Sequence, residues 1–541
     1  MTARLQVRDL SVSLDGHPLV TAIELEVDAG EVYGLVGESG SGKSMIALAL
    51  MGLLPAGATV SGSVRLDGHE LLGADEATLC TIRGRGIGIV FQEPATALNP
   101  LLTIGAQVTE GLLANSAVTP AEAAMRAAAV LARVGLPAAS IPPTRYPHEL
   151  SGGQRQRVAI AIAIAARPAL LIADEPTTAL DVTTQAQILA LLRTLASEDG
   201  MAMVLVSHDL AVVAESAHSI AILRSGRIVE QGRLTTVLTR PAHAYTQQLL
   251  RDYQPPELLP RLTEPTEVLL RAEDLIRDYP LPRRSFFGRT PTRRALDGVS
   301  LRIAAGERVG LVGESGSGKS TLVRALLGLD RAQSGTVRIA GEALHAAGAE
   351  RLRPLRRLVQ VVFQDPYGSL NPRHSIGRIV AEPLHLYPER LARPERERRV
   401  AAALEAVGLG SANLRARPEQ FSGGQRQRIA IARALVVEPR LLVLDEAVSA
   451  LDATTRLQIL ELLARLWRER GLAYLFVTHD LAVARAVTDR LLVMHEGRIV
   501  EQGATARILD RPEHPYTRTL VAATPLFDRA LARRSAEDSP E

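Results

Sequence analysis

The sequence predicts an α/β protein made of two tandem copies of one P-loop domain, each with an α/β core and an inserted helical subdomain. Three observations carry this expectation. The octapeptide Gly-Glu-Ser-Gly-Ser-Gly-Lys-Ser occurs at residues 37–44 and again at residues 313–320. Within each copy, short β-rich runs such as residues 31–36, 170–173 and 203–206 alternate with long Ala- and Leu-rich helical patterns, as expected of a largely parallel sheet with crossover helices. Each copy also holds an Ala/Arg/Glu-rich helical stretch, residues 119–134 and 394–407, inserted between two of the motifs described below.

The duplication covers nearly the whole chain. Lys43 and Lys319 are 276 positions apart, and Phe91-Gln92-Glu93-Pro94 returns 272 positions later as Phe363-Gln364-Asp365-Pro366. The run that starts at Ser151 returns at Ser422, Asp174-Glu175 at Asp445-Glu446, and His208-Asp209 at His479-Asp480, all at an offset of 271. A period this long is a repeated domain, not a solenoid unit, and 541 residues exceed what one core supports. Residues 251–267 hold Pro255, Pro256, Pro260 and Pro265 and read as a stiff, extended linker. The expected domains are therefore residues 1–250 and 268–541, joined by that linker.

Composition narrows the function classes. With 46% hydrophobic and 22% charged residues, the chain is globular rather than disordered. A net charge of +3 gives no nucleic-acid footprint, and 3% aromatics are too few for rows of base-stacking platforms. The single cysteine, Cys80, excludes an internal disulfide framework and any cysteine-ligated zinc or iron–sulfur cage. The uncharged stretch 45–64 is interrupted by Gly52, Pro55, Gly57 and Gly62, so it suits a buried helix and turn better than a bilayer span. The N-terminus lacks the continuous apolar run of a secretory signal, and the expectation is a cytoplasmic chain with no spanning helix. Of 62 Lys and Arg residues only two are lysine, and both sit in the octapeptide.

Each octapeptide follows an apolar strand pattern and opens a helical one, which is the context of a phosphate-binding loop. Its glycines let backbone N–H groups wrap phosphates at a helix N-terminus. Lys43 and Lys319 would reach the β- and γ-phosphates, while Ser44 and Ser320 would hold Mg²⁺. The apolar runs ending in Asp174-Glu175 and Asp445-Glu446 place two carboxylates at the end of a buried strand, which is costly unless they act. Asp174 and Asp445 suit Mg²⁺, and Glu175 and Glu446 suit orienting or deprotonating a water. His208 and His479 also close apolar runs, where they could meet a γ-phosphate. Ser151-Gly152-Gly153-Gln154 and Ser422-Gly423-Gly424-Gln425 open helices and offer a second anion cradle per copy.

On these six ordered, duplicated motifs the chain resembles the ATP-binding cassette family. The octapeptides look like its Walker A, and Gln92 and Gln364 like its Q-loop. The Ser-Gly-Gly-Gln runs look like its signature, and the Asp-Glu pairs like its Walker B. Ala179-Leu180-Asp181 and Ala450-Leu451-Asp452 look like the D-loop, with His208 and His479 as the switch histidines. The resemblance implies ATP and Mg²⁺ as cofactors, with Gln92 and Gln364 joining Ser44, Asp174, Ser320 and Asp445 at the metal. It implies nucleotide contacts from Gly37, Ser39, Gly40 and Gly42 in one copy and Gly313, Ser315, Gly316, Gly318 and Thr321 in the other. It also implies that each ATP lies between one copy's P-loop and the other copy's signature.

The tails carry a narrower likeness. Val229-Glu-Gln-Gly then His243-Ala-Tyr-Thr, and Val500-Glu-Gln-Gly then His514-Pro-Tyr-Thr, resemble the peptide/nickel importer subfamily, which includes dipeptide, oligopeptide and glutathione systems. That implies a hydrolase on the cytoplasmic face of the membrane, serving two transmembrane permease subunits and, indirectly, an extracytoplasmic substrate-binding protein. Two alternatives share the tandem cassettes: a ribosome-acting ATPase, disfavoured by the short Pro-rich linker, and the ATPase of an exporter with separate membrane subunits. Three positions depart from the family pattern. Tyr279 is placed to stack on adenine, but its counterpart is Leu14. Ala447 stands where the first copy has Pro176, and Phe421 replaces the signature leucine.

Overall fold

The computed structural model describes residues 4–38, 40–115, 118–178, 180–253, 267–280, 292–344, 349–389, 391–449, 451–524, 527 and 531–534. The linker expected at 251–267 lies mostly outside the described residues. The chain divides into two compact units, Met1–Tyr253 with Pro525–Glu541, and Gln254–Thr524. The second unit thus ends before the expected domain does. Phe527 packs its ring 5.7 Å from that of Tyr253, and Arg533 and Arg534 donate to the Glu215 carbonyl, so these residues group with the first unit.

In the first unit, β1 (Leu5–Leu14) and β2 (His17–Val27) form an antiparallel hairpin ahead of β3 (Val32–Gly37) and α1 (Lys43–Leu50). Then come β4 (Ala58–Leu66), β5 (His69–Glu70), α2 (Glu76–Ile82), β6 (Ile87–Val90) and α3 (Pro94–Ala97). Helices α4 (Ile104–Asn115), α5 (Pro120–Arg133) and α6 (Gly152–Ile164) follow without an intervening strand. The remainder alternates: β7 (Leu170–Asp174), α7 (Val182–Asp199), β8 (Ala202–Ser207), α8 (Leu210–Ser216), β9 (Ser219–Arg224), β10 (Arg227–Arg233), α9 (Leu234–Thr239) and α10 (Ala244–Tyr253).

Two sheets result. The six-stranded sheet has the order β10-β9-β3-β8-β7-β6, parallel except for the antiparallel edge strand β10. Its central strands β3, β7 and β8 are buried throughout, which is why they read as continuous apolar runs. A second sheet, β2-β1-β4-β5, is wholly antiparallel and was absent from the expectation of one largely parallel sheet. Register shifts along β1, between Val7 and Leu10 and between Leu10 and Val12, break the two-residue alternation by which a half-buried strand is recognised. The two sheets share one core that includes Leu5, Ile23, Leu35, Ile46, Ile172 and Val204.

The helical insert is real and larger than expected. In α5, Thr119 and Glu122 form a reciprocal capping box and Pro120 occupies the first turn, the strongest start signal a sequence carries. Helix α4, with few charges and a weak period, adds to it. The second unit repeats the plan, with sheets of the same strand order and with Arg393–Ala406 in place of α5.

Candidate functional site

The P-loop joins β3 to α1. Gly42, the residue before the helix, has φ 104°, and its counterpart Gly318 has φ 110°, a region open to glycine and costly for others. A Cβ at Gly318 would lie 2.4 Å from the Ala295 carbonyl oxygen. Lys43 is buried, and its Nζ donates to the carbonyls of Gly37 at 2.7 Å and Glu38 at 2.9 Å. Lys319 does the same with Gly313 and Glu314, at 2.7 and 2.9 Å. A buried ammonium held by its own loop at a helix N-terminus is set for an anion. Ser39 lies outside the described residues; Ser315 and Gly316 lie in the equivalent turn of the second copy.

Asp174 ends β7 beside this loop. Its Oδ1 is buried with no hydrogen-bond partner among the described residues, while the Ser44 hydroxyl bonds the same carboxylate. Burial pushes Asp174 above the usual carboxylate range, Glu175 adds to that, and Ser44 and Lys43 oppose it. Burial likewise raises Asp445, with Glu446 adding and Lys319 and Arg324 opposing. An orphaned carboxylate oxygen next to a serine hydroxyl is a donor set that fits Mg²⁺.

The next residue turns sharply. Glu175 has φ 47° and Glu446 φ 49°, both in the left-handed region where a non-glycine residue is strained. Each is pinned by its N–H, to Val206 O and to Val477 O respectively, both at 2.9 Å. The turn aims the carboxylate at the residues the motifs singled out. Gln92 Nε2 donates to Glu175 Oε2 at 2.9 Å, and His208 Nδ1 lies 2.9 Å from Oε1. Thr178 Oγ1 donates to Oε2 at 3.0 Å. Burial raises Glu175, but the hydrogen bond and charge of His208, the Thr178 hydroxyl and Lys43 outweigh it, so the carboxyl sits below its ordinary range.

In the second copy, Gln364 Nε2 donates to Glu446 Oε2 at 2.7 Å, and His479 Nδ1 stands 3.7 Å from the same oxygen. Ser449, the counterpart of Thr178, donates to the Glu446 carbonyl oxygen instead. Glu446 is also held low, His479 and Lys319 outweighing its burial. The structure thus joins glutamate, glutamine and histidine in each copy. Thr178 was missed; its one signal is a hydroxyl one helical-type turn after Glu175.

The remaining sites lie apart from this cluster. Ser151 caps α6, accepting the N–H of Gln154 while Gln154 Oε1 accepts that of Ser151, and Ser422 and Gln425 repeat the box. Gly152, Gly153, Gly423 and Gly424 form the first turns. Tyr279 ends the strand Val268–Pro280, donates to Asp330 Oδ2 at 2.9 Å and has the Arg277 guanidinium 4.8 Å from its ring. Leu14 ends β1. In the D-loops, Ala179 and Ala450 lie outside the described residues.

The family described as "ABC transporter" matches residues 20–178 and 296–449, once per copy. The chain belongs to the ABC transporter family. A second description, "Oligopeptide/dipeptide transporter, C-terminal region", matches residues 229–267 and 500–540, the two tails of this ABC protein. Relatives match end to end. "Peptidoglycan transport ATP-binding protein YejF" of Agrobacterium fabrum is 46% identical, covering 96% of each chain. "Uncharacterized ABC transporter ATP-binding protein YejF" of Escherichia coli is 45% identical over 93% of this chain and 95% of its own. "Glutathione import ATP-binding protein GsiA" of Salmonella paratyphi A is 42% identical over 95% and 88%. These ABC relatives have both cassettes in one chain, as here. Among the described residues no helix is long and apolar enough to cross a membrane.

Proposed function

We propose that this chain is the ATP-hydrolysing subunit that energises a membrane importer for peptides or related small ligands. The observation that carries the reading is the end-to-end likeness to transport ATP-binding proteins, with an oligopeptide/dipeptide tail on each copy. The chain would work from the cytoplasmic face with two permease subunits and, through them, an extracytoplasmic binding protein. The ribosomal and exporter alternatives gain nothing from these relatives.

Within each copy the residues divide the work. Lys43 and Lys319, with the loop N–H groups, bind the phosphates. Ser44 with Asp174, and Ser320 with Asp445, would hold Mg²⁺, with Gln92 and Gln364, which bond the neighbouring glutamates, as further candidates. When bound, Mg²⁺ supplies charge neutralisation at the β- and γ-phosphate oxygens. Glu175 and Glu446 stay ionised and can accept a proton from water. The glutamine and histidine restrain each carboxylate's rotation, which would keep it ready to accept from a water.

The test is Glu175→Gln, Glu446→Gln and the double variant. Each single change is expected to lower hydrolysis at its own site by roughly 10²–10⁴, and all three variants should still bind ATP. A double variant that hydrolyses ATP near the parent rate removes the assignment. Co-purification with candidate permease pairs, then uptake of labelled di- and oligopeptides and glutathione, tests the importer role.

A further inference from the structure

Each copy carries a tail motif that the hydrolysis scheme leaves unused. In the second copy, Glu501 accepts the N–H groups of Glu513 at 3.1 Å and His514 at 3.0 Å, which latches the tail onto its strand. His514 Nδ1 in turn accepts the N–H of Tyr516 at 3.2 Å. The His495 ring stacks on the tyrosine, centroids 3.9 Å apart. The Tyr516 hydroxyl oxygen then accepts the N–H of Glu314, the second residue of the P-loop, at 2.8 Å. That N–H belongs to the same planar peptide as the Gly313 carbonyl, and the Gly313 carbonyl takes the Lys319 ammonium at 2.7 Å. One rigid peptide unit is therefore gripped by the tail on one edge and by the phosphate-binding lysine on the other.

The first copy repeats the latch but not the hydrogen bond to the P-loop. Glu230 accepts the N–H groups of Ala242 and His243 at 2.7 and 3.1 Å, and His243 Nδ1 accepts that of Tyr245 at 3.1 Å. Arg224 takes the place of His495, its guanidinium 4.5 Å from the Tyr245 ring. Tyr245 faces Glu38, and burial together with that carboxylate holds its phenol above the ordinary range. Different partners cover the ring in the two copies, and although Tyr245 lies beside Glu38 its buried hydroxyl makes no well-formed hydrogen bond among the described residues.

We propose that Tyr516 is a positioning residue that holds the first peptide of the second copy's P-loop in its phosphate-binding form, so that the C-terminal motif sets nucleotide affinity there. The proposal rests on reading residues 313–320 as the ATP phosphate loop. A tail that served only to pack would need the ring and not the hydroxyl.

The experiment uses the full chain carrying Lys43→Ala, so that a fluorescent ATP analogue with Mg²⁺ reports the second copy. Removing one acceptor from a half-buried N–H by Tyr516→Phe is expected to weaken binding roughly 3- to 10-fold. In the otherwise unmodified chain the KM for ATP at the altered site should rise similarly, with kcat at saturating ATP within about twofold. The nucleotide-free thermal midpoint should stay at the parent value. Unchanged Kd and KM overturn the proposal, and so does a loss of affinity matched by a fall in that midpoint. Glu501→Gln loosens the latch without touching the ring, and should shift Kd in the same direction by a smaller factor. A Kd equal to the parent's there overturns the coupling through the tail. Binding by the Lys43→Ala parent that adding Lys319→Ala fails to reduce would refute the P-loop reading itself, a result distinct from any seen with Tyr516→Phe.

Discussion

At the residue scale, chemistry was most legible where one residue type is the only one that serves. Two lysines in a chain that otherwise uses arginine mark the loops proposed to hold phosphate. The acids at the ends of buried strands mark the pair proposed to activate water. Less legible were residues that act through others. Thr178 reads as an ordinary turn threonine, yet it completes a three-donor grip on Glu175 that Ser449 does not reproduce at Glu446. The hydroxyl is the same, but Ser449 turns it to the backbone. In a Glu446→Gln background, Thr178→Val is therefore expected to lower turnover by roughly 3- to 10-fold, with Thr178→Ser retaining most of it. Ser449→Ala in the Glu175→Gln background should change turnover less. Single-site ATPase rates at saturating ATP decide this, and equal losses for the two would mean that the extra hydrogen bond does not orient the carboxylate.

At the element scale, boundaries were readable where a cap or a fully buried strand announces them. Thr119-Pro120 opens α5 within a residue of the expected insert, and β7 and β8 lie on the runs read as strands. The antiparallel sheet was not readable, because bulges in β1 scatter its apolar positions between faces. The tail helices were visible as a motif but not as a contact: Tyr516 and Glu314 are 202 positions apart, and a hydroxyl carries no period. The latch has a pH signature. Burial raises Glu501, but hydrogen bonds, among them those from the N–H groups of Glu513 and His514, hold it below its ordinary value. A depressed carboxyl stabilises the folded form above its unfolded pKa and loses that contribution as pH falls through the folded one. Amide exchange in residues 513–517 should thus be slow above about pH 5 and quicken below about pH 4, beyond the intrinsic pH trend. Glu501→Gln should flatten that step.

At the scale of the whole molecule, the two copies share a strand order but not a finish. Asp209 is met by the Tyr253 hydroxyl at 2.5 Å, whereas its counterpart Asp480 pairs with Arg456 at 2.9 Å. Tyr279 occupies the position that Leu14 fills in the first copy, and Asp330 and Arg277 hold its ring in place. A ring already ordered loses little freedom when adenine stacks on it. The second copy is expected to bind ATP several-fold more tightly, since stacking adds roughly 0.5–1.5 kcal/mol beyond burial. Kd values measured in Lys43→Ala and Lys319→Ala chains compare the two directly, and Tyr279→Leu should bring them together. Equal affinities in the parent pair would remove the claim.

The left-handed turn at Glu175 and Glu446 bears on what selection can see. A population screened only for expression and solubility has no reason to keep glutamate there, since glycine suits that backbone better than any other residue. Glu175→Gly and Glu175→Ala lose the same carboxylate, so their difference isolates the backbone. The glycine variant is expected to be the more stable by about 1 kcal/mol, read as a higher thermal midpoint of the nucleotide-free protein, while both are inactive at that site. Drift under relaxed demand for turnover should therefore run toward glycine or asparagine at these two positions first. Their retention as glutamate in both halves of a natural sequence would then be a record of activity rather than of folding.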